Sequence, residues 1–183
     1  MSTSTNPARR TEQAFAFSDY VAEFARDLRT QTALHPRVLF GALTDTSPAV
    51  ASLAGVAKTA RFTVRSIDPG VGSLGPALAQ ALELKISPAG ATTAESLAAA
   101  IVEQGTWSRT ITASTPFGLM LVVSRAERLS DSDLGLLFRT LNRIAWAEAP
   151  ISAIIAGTPP TLRRAARAWP DLEMFGRKFY FEP

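Results

Sequence analysis

Apolar residues in this chain fall into two rhythms. Apolar runs at 117–123 and 151–156, the second broken only by Ser152, show no polar alternation, the pattern of strands covered on both faces of a sheet. Shorter apolar stretches at 37–40, 61–67 (Phe62, Val64 and Ile67) and 179–181 predict three more strands. Elsewhere apolar positions recur at helical spacing: Val21, Phe24 and Leu28; Leu97, Ala100 and Ile101; Leu134, Leu137, Leu141 and Ile144. Ser18, the Thr92/Glu95 pair and the Ser130/Asp133 pair read as the N-caps of these three helices, the first running to about residue 30 and the second through 103. Stretches 48–58, 76–83 and 161–169 read as further helices. His35-Pro36, Asp68-Pro69-Gly70, Gly105, Pro150 and Gly157 to Pro160 separate the elements. Residues 107–114 fit either a short edge strand around Ile111 or a loop that carries Trp107 into the core. The run at 117–123 is the most apolar of all and reads as the central strand.

Five strands alternating with helices define an α/β domain of three layers, with a five-stranded, mainly parallel sheet flanked by helices. The polar residues 1–10 read as a flexible tail and 11–183 as one domain. Hydrophobic residues make up 46% and charged residues 19%, a globular balance with no compositional sign of disorder. No apolar run approaches the roughly 18 residues of a membrane helix, and the first ten residues lack the apolar centre of a signal peptide, so a cytoplasmic protein is expected. With no cysteine there are no disulfides, thiolate metal sites or cysteine nucleophiles. A single histidine, His35, excludes multi-histidine metal sites and reads as a solvated loop residue. A net charge of +3 permits nucleic-acid contact without arguing for it.

Two loops follow predicted strands and resemble phosphate cradles. Gly41 is followed by four residues and then Thr46-Ser47-Pro48, in the register of the pattern Gly-x-x-x-x-Gly-Lys-Ser/Thr. Thr46 stands in place of the second glycine, Ser47 of the phosphate-binding lysine and Pro48 of the metal-binding hydroxyl. Asp45 adds a carboxylate that caps helix N–H groups and repels phosphate, so 45–48 also reads simply as a helix start. The second loop, Gly70-Val-Gly72-Ser-Leu-Gly75, has the spacing of a dinucleotide fingerprint, but no acidic residue follows at the distance that fingerprint needs, and a loop with a helix cap is the expected reading.

From about Arg37 onward the chain resembles AAA-type P-loop ATPases, particularly bacterial relatives of the origin-recognition ATPases. Leu121, Val122, Val123, Ala126 and Leu129 match their Walker B segment, whereas Ser124 replaces its metal-associated aspartate and Arg125 its water-activating glutamate. The resemblance places Thr158 near a polar sensor position and Arg177 and Lys178 in the arginine-finger region. The helical lid that clamps nucleotide in those proteins has no counterpart up to Pro183. It implies a vestigial nucleotide site of Gly41, Asp45, Thr46, Ser47, Pro48, Ser124, Arg125 and Thr158, with no catalytic residue, metal or cofactor. Arg125 or Arg177 would then be offered to a neighbour's nucleotide.

Three classes of function follow: a pseudo-ATPase acting through protein contacts, with itself or with an active ATPase; a degenerate domain that still binds ATP; and a nucleic-acid module using Arg163, Arg164, Arg167, Arg177 and Lys178. That last cluster also fits a solvated helix face partly balanced by Asp171 and Glu173.

Overall fold

A computed structural model describes residues 7–30, 37–41, 47–67, 69, 73–104, 118–147, 149–168 and 177–181. In chain order the elements are α1 (Pro7–Thr30), β1 (Arg37–Gly41), α2 (Ser47–Thr59), β2 (Phe62–Ile67), α3 (Leu74–Ala81), α4 (Ala94–Gln104), β3 (Gly118–Val123), α5 (Asp131–Trp146), β4 (Ile151–Gly157), α6 (Pro159–Ala168) and β5 (Arg177–Phe181). Short 3-10 turns, Gly90–Thr92 and Ala126–Arg128, precede α4 and α5. The expectations for His35 and for the segment around Trp107 and Ile111 lie outside the described residues.

The five strands form one sheet in the order β2-β3-β4-β1-β5, and every pairing is parallel. Strand β3, from the run expected to be central, is therefore interior but not the central one: β4 holds the middle, between β3 and β1. Both strands are buried along their whole length, so apolar content alone cannot rank them. Each alternates between two cores. Met120, Val122, Ile154 and Ala156 face Phe24 and Leu28 of α1 and Leu53 and Ala57 of α2. Leu119, Leu121, Val123, Ile151, Ala153 and Ile155 face α3, α4 and α5. The result is three layers with the sheet between.

Direction of travel accounts for the layers. From β1 the chain crosses to the far edge at β2, so its crossover helix α2 lies on one face. From β2 through β3 to β4 it steps back the other way, and α3, α4 and α5 lie on the opposite face, as right-handed crossovers require. The step from β4 over β1 to β5 keeps that direction, and α6 packs beside α5.

Three local expectations are corrected. Helix α1 begins at Pro7, so the tail expected at 1–10 gives way to helix over its last four residues, and Ser18 lies within the helix rather than capping it. Proline suits a first helical turn, and residues 8–17 contain good helix formers and neither glycine nor proline. Helix α4 is capped by Thr93, whose Oγ1 accepts from Ser96 N at 3.3 Å, while Thr92 Oγ1 donates to Ala89 O within the preceding turn. Glu95, expected to complete a capping box, instead pairs with Arg143 of α5. The cap on α5 is as expected: Ser130 Oγ accepts from Asp133 N at 3.1 Å.

Candidate functional site

Adjacent strands β4 and β1 send the chain to opposite faces of the sheet, α6 to one and α2 to the other. Their carboxyl ends therefore border the crevice in which open parallel sheets bind ligands. Gly41 ends β1, opposite Phe181 of β5, and Phe40 pairs with Gly157 at the end of β4. The chain re-emerges as α2 at Ser47, with Pro48 exposed in the first turn, where its missing N–H costs the helix nothing. Asp45 and Thr46 lie outside the described residues.

At the end of β3 the strand stops where the sequence places its end. Val123 is fully buried, Ser124 half-buried and Arg125 exposed. Arg125 adopts the left-handed conformation, φ 55° and ψ 43°, a strain of about 1–2 kcal/mol for a residue with a Cβ. That reversal throws the chain into the 3-10 turn Ala126–Arg128, closed by Arg128 N donating to Arg125 O at 3.0 Å. Ala126 and Leu129, which match the Walker B pattern, are buried in the core shared with α3–α5. Their fit is to the scaffold.

Thr158 follows β4 and is half-buried, its Oγ1 3.2 Å from Thr161 Oγ1, while Thr161 N donates to Thr158 O at 2.9 Å. A Cβ on Gly157 would sit 3.4 Å from Ala126 Cβ, Glu127 Oε2 and Thr161 Cβ, so the turn after β3 closes directly over the end of β4. The structure thus brings Ser124, Arg125 and Thr158 to neighbouring strand ends and adds a carboxylate, Glu127, that the motif comparison did not single out. Glu127 lies in the turn outside the motif's charged register, which gave no signal. Magnesium is held through carboxylates and phosphate oxygens. Ser124 and Arg125 offer a hydroxyl and a cation, a donor pair that does not suit it. Among the described residues no cluster of three or more His, Cys, Asp or Glu side chains is placed to hold a metal ion, and no helix is long and apolar enough to cross a membrane.

The arginines of the proposed patch part company. Arg164 Nε donates to Asp131 Oδ1 at 2.6 Å, Nη1 to Glu127 O at 3.2 Å, and Nη2 to Leu129 O. It clamps α6 to the turn after β3 and to the start of α5, so it is removed from the expected open patch. Its place on the polar side of α6 suits a solvated residue, but the acceptors that engage it come from residues more than thirty positions away. Arg163 and Arg167 are exposed, with Arg167 Nε donating to Arg163 O at 3.3 Å. Arg177 and Lys178 lie on the edge strand β5, in register with Arg37 and Val38.

The second glycine loop resolves toward packing. Gly70 and Gly72 lie outside the described residues. Gly75 is the second residue of α3, where a Cβ would fall 1.7 Å from Ala91 O. The N–H of Leu74, which a phosphate would use in a dinucleotide site, is taken by the Asp133 carboxylate.

Comparison with solved structures finds the same three-layer α/β fold in other proteins. Similar structures include a Drosophila origin recognition complex (ORC) bound to DNA (TM-score 0.57, 16% identity, covering 94% of this chain and 91% of that one). The ADP form of the Aeropyrum pernix ORC2 protein is also similar (TM-score 0.56, 14% identity, 90% of this chain and 46% of that one). So is Cdc6p from Pyrobaculum aerophilum (TM-score 0.51, 14% identity, 92% and 44%). This chain thus spans less than half the length of the two archaeal proteins. No protein-family profile and no curated protein sequence matches it. The likeness is one of fold.

Proposed function

We propose that this protein is a catalytically inactive P-loop ATPase-like domain that works through protein contacts, with itself or with an active ATPase. The end of β3 carries the reading. Where the resemblance expects an aspartate and a glutamate, the chain presents Ser124 and a strained, exposed Arg125. Phosphoryl transfer depends on positioning and charge: a loop lysine, a metal with its acid, and an oriented water. A serine hydroxyl brings no charge to the metal, and a guanidinium, protonated at every working pH, takes no proton from water. Ser47 and Pro48 at the start of α2 lack the lysine and the metal-binding hydroxyl as well. What remains is the scaffold, with a left-handed, exposed Arg125 just past the end of β3. Besides the DNA-bound Drosophila ORC, three further Drosophila ORC structures of similar fold have Cdc6 bound as well as DNA, and a protein-contact role for this fold accords with them.

Steady-state phosphate release from magnesium-ATP tests the reading. The wild-type chain and the Ser124→Asp/Arg125→Glu variant are both expected to match the protein-free control, because the pair restores charge at β3 and leaves Ser47 and Pro48 in place. Turnover by the wild type overturns the proposal.

The DNA-bound neighbours and the exposed Arg163 and Arg167 favour one further reading, a nucleic-acid contact along α6. It is the weaker reading because Arg164 is engaged within the fold.

A further inference from the structure

The outer surface of α4 and α5 carries features that the crevice does not explain. Trp146, in the last turn of α5, is 76% exposed, the single large hydrophobic side chain so exposed among the described residues. Helical spacing sets it on one stripe with the exposed Arg139 and Arg143, at i, i+4 and i+7. Beside it a groove of about 230 Å³ opens between the two helices, with Ala98, Ala99 and Val102 along α4 and Ala147, the residue after Trp146, at the C-terminal cap of α5. Knob and hole are therefore neighbours on one face.

The charges on this face are divided in the same way. Glu95 and Glu103 edge the groove from α4, and Arg143 edges it from α5. Glu95 and Arg143 pair with each other within the chain. Glu103 on the α4 side and Arg139 on the α5 stripe are left as the charges a docking partner would meet. A surface holding both a knob and a hole, and both an acid and a base, is complementary to itself across a twofold axis.

We infer that a second copy of this chain docks here. The indole of each Trp146 enters the α4/α5 groove of the other copy, and each Arg139 faces the other copy's Glu103. A buried indole removes about 150–250 Å² from water, and tryptophan is among the residues that most often dominate an interface. Trp146 lies just before β4 begins, at the amino-terminal end of the parallel strands and away from their carboxyl ends, so the dimer leaves the crevice open. The inference is independent of whether that crevice binds nucleotide.

Sedimentation of the full chain, from micromolar to hundreds of micromolar, is expected to show the mass rising from monomer to twice that value. Trp146→Glu should stay monomeric throughout with an unchanged melting temperature, because the side chain is exposed in the monomer. Glu103→Arg and Arg139→Glu should each weaken association about tenfold or more, since each sets like charges opposite one another twice over. An equimolar mixture of those two variants should associate again, because the mixed pair restores both opposite-charge contacts. A wild-type chain that is monomeric at every concentration overturns the inference. So does a dimer that survives Trp146→Glu, or a mixture that associates no better than either variant alone.

Discussion

Asp133 of α5 accepts a 3.0 Å hydrogen bond at Oδ1 from the backbone N–H of Leu74, the first residue of α3 and 59 positions away in sequence. Its other oxygen, Oδ2, accepts from Ser130 Oγ at 2.6 Å, so one carboxylate serves the first turns of two helices. Both turns carry N–H groups without helical partners and a partial positive charge. Replacing Asp133 by alanine is expected to lower stability by about 2 kcal/mol, read as a fall in the urea midpoint at constant slope. Asp133→Asn, which keeps an acceptor for Leu74 N, should lose less. An alanine variant as stable as wild type would mean that the link between α3 and α5 contributes nothing.

Two glycines on helices separate packing from propensity. A Cβ at Gly75 would overlap Ala91 O at 1.7 Å and Ala91 C at 2.8 Å, both backbone atoms, whereas one at exposed Gly55 would meet nothing within 4 Å. Gly75→Ala should destabilise by roughly 2–3 kcal/mol as α3 is pushed off the turn Gly90–Thr92. Gly55→Ala, in the middle of α2, should stabilise by roughly 0.5–1 kcal/mol. Thermal melts of the two variants give the signs; equal shifts would contradict the close approach at Ala91.

Much of this fold is legible in the chain itself, for a physical reason. Strands β3 and β4 are buried on both faces, so their apolar runs have no competing period, and Ser130 caps α5 through a bond only three residues long. What escapes sequence reading is whatever a distant partner decides. The rank of β4 as the middle strand depends on pairings with β3 and β1, which apolar content does not encode. The capping box expected at Thr92 gives way to Thr93, because the preceding turn binds Thr92 Oγ1 to Ala89 O and leaves Thr93 to accept from Ser96 N. At the candidate site, β3 ends at Val123, so Ser124 and Arg125 follow the strand, as the apolar run leads one to expect. The clamp of Arg164 and the approach of Glu127 to Gly157 arise from strand ends brought together in space.

The arginines of α6 should divide by experiment as they do in space. Arg164→Ala removes a partly buried guanidinium that donates to two carbonyls and Asp131, and a loss of about 1.5–3 kcal/mol is expected. Arg163→Ala with Arg167→Ala should shift stability by no more than about 0.5 kcal/mol. On duplex DNA, the wild type is expected to show no salt-sensitive binding at physiological ionic strength. Binding that falls steeply with salt, and weakens in the Arg163/Arg167 variant, would establish the nucleic-acid role instead.

Nucleotide binding itself is the most direct test, because every step of the inactive reading passes through the crevice. The melting temperature of the full chain should be the same with and without millimolar ATP and magnesium. A domain that binds ATP gains stability by mass action, about 2.7 kcal/mol at one hundred times the dissociation constant, which shifts a domain of this size by several degrees. Coincident melting curves are the predicted result; a rise that scales with ATP concentration would contradict it.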